Sequence, residues 1–216
     1  MIAPLLLVVA LQSAEVTEPN TQVKFPVQLS APPGGGAQVL TGTGVRTRTV
    51  LQVKVYAFGL YVDSAGARSA LSAWRGKNAE ELARDQSLYN EVAKGGFPAT
   101  LRLVMTRNVG ADQMSEAFNE ALGPRVAQAG ERGMTGGAEA LTTFRGFFSN
   151  ELSKGTELVF ARSGDTLKVS IGGQNKGEIV NGALGWALFD VYLGEKPITT
   201  VGKKTVIARL PDLLGN

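Results

Sequence analysis

Two consecutive runs rich in β-branched and aromatic residues constrain this chain most: QVLTGTGVRTRTV from Gln38 to Val50 and LQVKVYAFGLYV from Leu51 to Val62. Val, Thr, Tyr and Phe suit a pleated, half-buried surface, so both runs read as strands. In the second run Val53, Val55, Ala57 and Tyr61 fall on one face, and Lys54, Tyr56, Phe58 and Leu60 on the other. Both faces turn apolar toward its end, as expected of a strand entering the middle of a sheet covered on both sides. Any fold for this chain must therefore supply a layer over each face.

The rest of the sequence offers those layers. QVKFPVQL, Gln22 to Leu29, reads as a short strand with Pro26 at an edge. Pro32-Pro33-Gly34-Gly35-Gly36 then breaks the chain into a turn or loop. Helices are expected over 65–74 and 79–92, the latter carrying Leu82, Leu88 and Val92. After Gly95-Gly96-Phe97-Pro98, residues 99–107 return to strand alternation with Leu101, Leu103 and Met105 aligned. Residues 112–128 form the strongest helix, with Met114, Ala117, Phe118, Ala121, Leu122 and Val126 in one apolar stripe. Gly123-Pro124 is expected to kink it or end it early. Beyond the glycine-rich 130–137, Leu141, Phe144 and Phe148 mark another helix. Residues 157–162 and 166–171 form a hairpin through Ser163-Gly164-Asp165. Asn181 is a fitting N-cap for a helix over 183–193, closed by Gly194. Residues 196–216 show no clear period. With strands mixed with grouped helices, no repeat and no dividing linker, the pattern argues for one α+β domain over 20–216.

Composition narrows the chemistry. The 216 residues include no histidine and no cysteine. That removes imidazole bases, thiolate nucleophiles, disulfides, sulfur-ligated zinc and iron–sulfur clusters. The acids are dispersed, so no metal site and no cofactor is expected. The net charge of +3 comes from 22 basic and 19 acidic residues without a basic stripe, so no nucleic-acid partner is expected. GTGVR at Gly42–Arg46 lacks the spacing and following helix of a phosphate loop; glycines easing a bend or bulge fit better. No GxSxG elbow occurs. The apolar run Leu5–Leu11, followed by Gln12-Ser13-Ala14, resembles a secretory leader over 1–14, although no Lys or Arg precedes it. It is too short to span a bilayer. Export to a periplasmic or extracellular compartment is the expectation, with no integral membrane segment in the mature chain.

Arg46 and Arg48 enter the sheet just before its doubly covered part. Arg48 is expected at a solvated edge. A buried Arg46 would need an anionic partner, because an unpaired buried charge is costly. Either an internal carboxylate or a ligand carboxylate or phenolate would serve. Tyr56 could add a hydroxyl contact.

GTGVRTRTVLQVKVYAFGLYVD, Gly42 to Asp63, resembles the signature of the chalcone isomerase fold family, in which a Gly-x-Gly-x-Arg strand leads into a strand of the type VKVYAxGLYV. LRLVMTRNVGADQMSEAFNEAL, Leu101 to Leu122, is similar to the family's next strand and helix. KGTELVFARSGDTLKVSIGGQNKGEIVNGALGWALFDVYLGEKP, Lys154 to Pro197, resembles the closing hairpin and helix of its bacterial branch. The resemblance implies an open-faced β-sandwich: a large antiparallel sheet, helices packed on one side, and a ligand cleft between. In the isomerases an arginine at the Arg46 position holds a phenolate during ring closure. Their threonine, helical tyrosine and asparagine, and last-helix serine or threonine align with Tyr56, Met114, Ala121 and Gly185. Only the arginine is kept. The fatty-acid-binding branch instead clamps a carboxylate between an arginine and a tyrosine, here Arg46 and Tyr56. The first expectation is therefore a non-catalytic binder of a small amphipathic anion, such as a fatty acid. The alternatives are an isomerase (intramolecular lyase) on a phenolic ligand, with Arg46 catalytic, and an interaction scaffold without ligand.

Overall fold

Alternation along the long strands produces a sheet with two unlike faces. The computed structural model describes residues 14–30, 36–48 and 51–215. The expected leader except Ala14, and most of the Pro32–Gly36 loop, lie outside the described residues. Strands β1 (Glu15–Thr17) and β2 (Lys24–Pro26) pair as a small antiparallel hairpin. Strands β3 (Gln28–Leu29), β4 (Gln38–Arg48), β5 (Val53–Asp63), β6 (Ala99–Met105), β7 (Glu157–Ser163), β8 (Thr166–Ile171) and β9 (Gln174–Val180) form one antiparallel sheet in that order. Helices α1 (Ser64–Ala70), α2 (Ala79–Arg84), α3 (Gln86–Lys94), α4 (Ala111–Glu131), α5 (Gly137–Gly146), α6 (Gly182–Leu193), α7 (Thr200–Thr205) and α8 (Leu210–Leu214) complete it.

One face carries Tyr56, Phe58, Leu60, Leu101, Leu103 and Met105 into a core shared with the helices. The other carries Leu40, Ala57, Tyr61 and Val104 against Phe25 of the β1–β2 hairpin. This is the open-faced sandwich expected from the sequence: helices cover one face, and a two-stranded flap covers part of the other.

The GTG segment has a packing role. A Cβ on Gly42 would lie 2.2 Å from Thr205 O, and one on Gly44 would lie 2.9 Å from Gly202 Cα. Both glycines therefore let α7 and its exit lie directly on β4, where Thr41 Oγ1 donates to Val206 O at 2.8 Å. The register also shifts between Leu40 and Gly42, the irregularity these glycines suggested.

Several expectations need correction. Residues 22–29 are two short strands, not one, each paired with a different neighbour. The expected helix over 79–92 breaks at Asp85, which ends α2 and caps α3 by accepting from Ser87 N. Its carboxylate also takes Trp74 Nε1 at 2.8 Å, so the side chain outcompetes a continuous helix. Helix α4 carries Pro124 within it and runs on to Glu131. Strand β9 was not expected: its text QNKGEIV is polar, and only Ile179 is buried, as suits an edge strand.

Candidate functional site

A cleft of about 720 Å³ lies between α4 and the sheet at the ends of β4 and β5. Strand β4 contributes Arg46 and Arg48; β5 contributes Val53, Val55 and Tyr56; the chain after β6 contributes Arg107 and Val109. Helix α4 faces them with Met114, Ala117, Phe118 and Ala121, the stripe its sequence period defines. Val191 of α6 and the segment Lys196-Pro197-Ile198 close one side. The wall thus mixes aliphatic and aromatic surface with long polar and charged side chains, Gln113, Glu116, Glu120 and Arg125 of α4 among them.

Strict alternation would set Val55 and Tyr56 on opposite faces, yet both line this cleft. The cause is a bulge. Arg46 pairs with Tyr56 while the next β4 residue, Thr47, pairs with Lys54, which leaves Val55 unpaired in the register. The extra residue turns the end of β5 so that Val53 and Val55 join Tyr56 at the cleft. This corrects the face assignment made from period alone.

The cross-strand pairing places Arg46 beside Tyr56. Arg46 is half-buried and donates from Nη1 to Ile198 O at 2.6 Å. Among the described residues no carboxylate forms an ion pair with it, so the internal partner considered above is absent from that set. A guanidinium has five N–H donors, and one carbonyl uses only one of them. Tyr56 is 5% exposed, and its hydroxyl lies 3.0 Å from that of Tyr192, which is fully buried on α6. Burial raises the pKa of Tyr56, opposed in part by the Tyr192 hydrogen bond and the Arg46 charge. Burial likewise raises Tyr192, reinforced by Tyr56 and opposed by Arg46. Both phenols are therefore neutral at physiological pH and act as hydrogen-bond donors or acceptors.

Two of the other cleft arginines, Arg48 and Arg125, are committed elsewhere. Arg48 stands 3.6 Å from Glu120 of α4 across the cleft mouth, both side chains substantially exposed. Arg125 pairs with Asp190 at 2.9 Å and donates to Ala121 O and Lys196 O. Arg125 and Arg46 thus hold the two ends of the segment 196–198 from different elements. Arg107 is exposed and has no ion pair among the described residues.

Met114 and Ala121, two of the positions aligned above through the resemblance, do line the cleft and present apolar surface there. Gly185 does not. Its missing Cβ faces Arg162, 3.3 Å from Cδ, well inside the helix–sheet core. The α6 residue that reaches the cleft is Val191. Sequence reasoning also missed Tyr192, whose one signal is a polar atom within the apolar run of α6.

No group of three or more His, Asp or Glu residues suited to a metal ion occurs among the described residues. No described helix is long and apolar enough to cross a membrane.

Sheet order, one-sided helical cover and a cleft beside Arg46 define an α+β open-faced sandwich. Residues 37–207 match the family described as "Chalcone isomerase like", and the chain belongs to that family. It is 29% identical over 205 residues to a chalcone–flavanone isomerase of Oryza sativa subsp. japonica, covering 89% of this chain and 88% of that protein. It is 25% identical over 197 residues to fatty-acid-binding protein 1 of Arabidopsis thaliana, covering 88% of this chain and 68% of the relative. A crystal structure of an Arabidopsis thaliana fatty-acid-binding protein superposes with a TM-score of 0.78 at 23% identity, over 94% of this chain and all of the other. At that identity the superposition establishes the shared fold.

Proposed function

We propose that this protein binds a small amphipathic anion, such as a fatty acid, in the α4–sheet cleft without converting it. The observation that carries this reading is Arg46: a half-buried guanidinium at an apolar cleft, held by one backbone carbonyl and free of any carboxylate among the described residues. A carboxylate placed there gains charge-assisted hydrogen bonds from Arg46, and Tyr56 is near enough in the register to donate a further one. The acyl chain would lie over Val53, Val55, Met114 and Phe118. The named fatty-acid-binding relative supports the same ligand class. Native mass spectrometry and lipid extraction of the purified protein test it, together with loading by decanoate. A bound or loadable amphiphile that Arg46→Ala cannot retain is expected; failure to carry or take up any amphiphile would overturn the reading.

A second reading, an isomerase that closes a ring on a phenolic enone, is favoured by the isomerase relatives. Met114 and Ala121 weigh against it, because they leave two positions of the cleft wall without a hydrogen-bond donor for such a reaction. Removing one such donor costs about 2.7–4 kcal/mol of transition-state stabilisation. Ring closure of a hydroxychalcone well above the spontaneous rate, and dependent on Arg46, would establish this reading in place of the first. We further propose that the chain is exported, with the leader removed near Ala14. N-terminal sequencing of the mature protein would contradict this if it began at Met1.

A further inference from the structure

The four arginines of the cleft divide into two pairs. Arg48 and Arg125 each have a protein carboxylate, Glu120 and Asp190 respectively. Arg46 and Arg107 have none among the described residues. These two stand on opposite flanks of one apolar strip. Strand β5 lies between β4 and β6 and supplies Val53 and Val55 to the cleft floor. Arg46 comes from β4 on one side. Arg107 follows the end of β6 on the other, where Thr106 N still donates to Val55 O at 3.0 Å and so keeps the chain in the ladder. Neighbouring strands are roughly 4.8 Å apart, so the two backbones are separated by roughly 10 Å across the strip.

Charge accounting points the same way. The carboxylates that line the cleft, Glu116 and Glu120, are engaged by Arg145 and Arg48. Lys196, a further cation of the lining, lies on the Arg46 side with the 196–198 segment, so a monocarboxylate at Arg46 would leave the Arg107 flank without an anion. We propose that the ligand is a bis-anion, with an acidic group at each end of an apolar spine: one end on Arg46, the other on Arg107, and the spine over Val53 and Val55. This rests on the proposed function and narrows its ligand class. Arg107 is the specificity-determining residue for the second acidic group.

Because Arg107 is exposed, its contribution is modest. Exposed pairs reach about 1 kcal/mol at the upper end, which is about fivefold in affinity. Calorimetric titration of the full chain with decanoate and with decanedioate at low salt tests the proposal. Decanedioate is expected to bind about two- to fivefold more tightly, with the difference shrinking as salt is raised. Arg107→Gln, a change at an exposed position, should abolish that difference. Lys196→Gln, at another exposed cation of the cleft, should leave the difference in place. Equal or weaker binding of decanedioate, or a preference that survives Arg107→Gln or vanishes with Lys196→Gln, overturns the proposal. Decanoate binding without a diacid preference would defeat this inference alone; no binding of either acid would defeat the proposed function with it.

Discussion

Arg46 and Arg162 both rise from the helix-covered face of the same sheet, and the protein treats them in opposite ways. Arg162 on β7 is 3% exposed and donates from Nη1 to Ala93 O at 2.6 Å and from Nη2 to Val92 O at 2.8 Å. It thereby caps the end of α3, where unpaired carbonyls concentrate partial negative charge. Its guanidinium lies 3.8 Å from the centre of the Phe189 ring, and the glycines at 95 and 185 leave room for it. Burial lowers its pKa to about 9, so it remains charged at neutral pH. Among the described residues Arg46 has one carbonyl bond, and a cleft lies in front of it. Burial alone does not mark a binding arginine. What distinguishes the two is whether backbone acceptors already occupy the fork.

That contrast can be broken from either side. The largest expected effect concerns the buried phenols, two of which, Tyr56 and Tyr192, lie beside Arg46. All four tyrosines of the chain have raised pKa values through burial, Tyr89 to about 12. A raised acid holds its proton in the folded state after the unfolded chain has lost it. Stability is therefore intact below about pH 10 and falls above it, by about 1.4 kcal/mol per pH unit for each tyrosine ionised only when unfolded. Ultraviolet titration should show little tyrosinate at pH 10 in the native protein and ordinary titration in urea. An ordinary native titration would mean that water reaches the phenols.

Next, Arg162→Ala strands two buried carbonyls and should cost about 2–4 kcal/mol in urea unfolding. A loss below about 1 kcal/mol would remove its structural role. Gly95→Ala acts on the same site, since Gly95 has φ +91° and its Cβ would stand 3.1 Å from Arg162 Cζ. About 1–2 kcal/mol of destabilisation is expected from that strained backbone. Arg46→Ala should change stability by less than about 1 kcal/mol, because a half-buried side chain with one carbonyl bond is removed. If it destabilised the fold as much as Arg162→Ala, the two arginines would not differ in kind. Smallest of all, Glu120→Gln should stay within about 0.5 kcal/mol, as its pair with Arg48 is exposed.

The parts of the molecule written in local periods were readable in the sequence. The alternation of β5 and β6, the apolar stripe of α4 and the Asn181 cap of α6 each depend on residues close in the chain. Asn181 indeed accepts from Leu184 N. Elements defined by distant partners were not readable. Strand β9 is polar and exists because β8 offers it a ladder. The bulge that brings Val55 to the cleft depends on the register between two strands. At the site, Arg46 was legible through the family resemblance of the GTGVR segment, whereas nothing in the sequence singled out Arg107, which reaches the cleft from the chain after β6. Arg162, within the strand text FARS, gave no local sign that the end of α3 would fold onto it. Gly185 aligned with a polar cleft position through the resemblance to the isomerases, but the geometry assigns its empty side to Arg162.

The most direct test uses decanoate labelled with carbon-13 at its carboxyl carbon and follows its resonance against pH in complex with the protein. Contact with Arg46 should stabilise the carboxylate, so the bound label is expected to titrate below the free acid, a shift that Arg46→Ala removes. A bound carboxyl that titrates as it does in water, or that is held equally well by Arg46→Ala, would contradict the account.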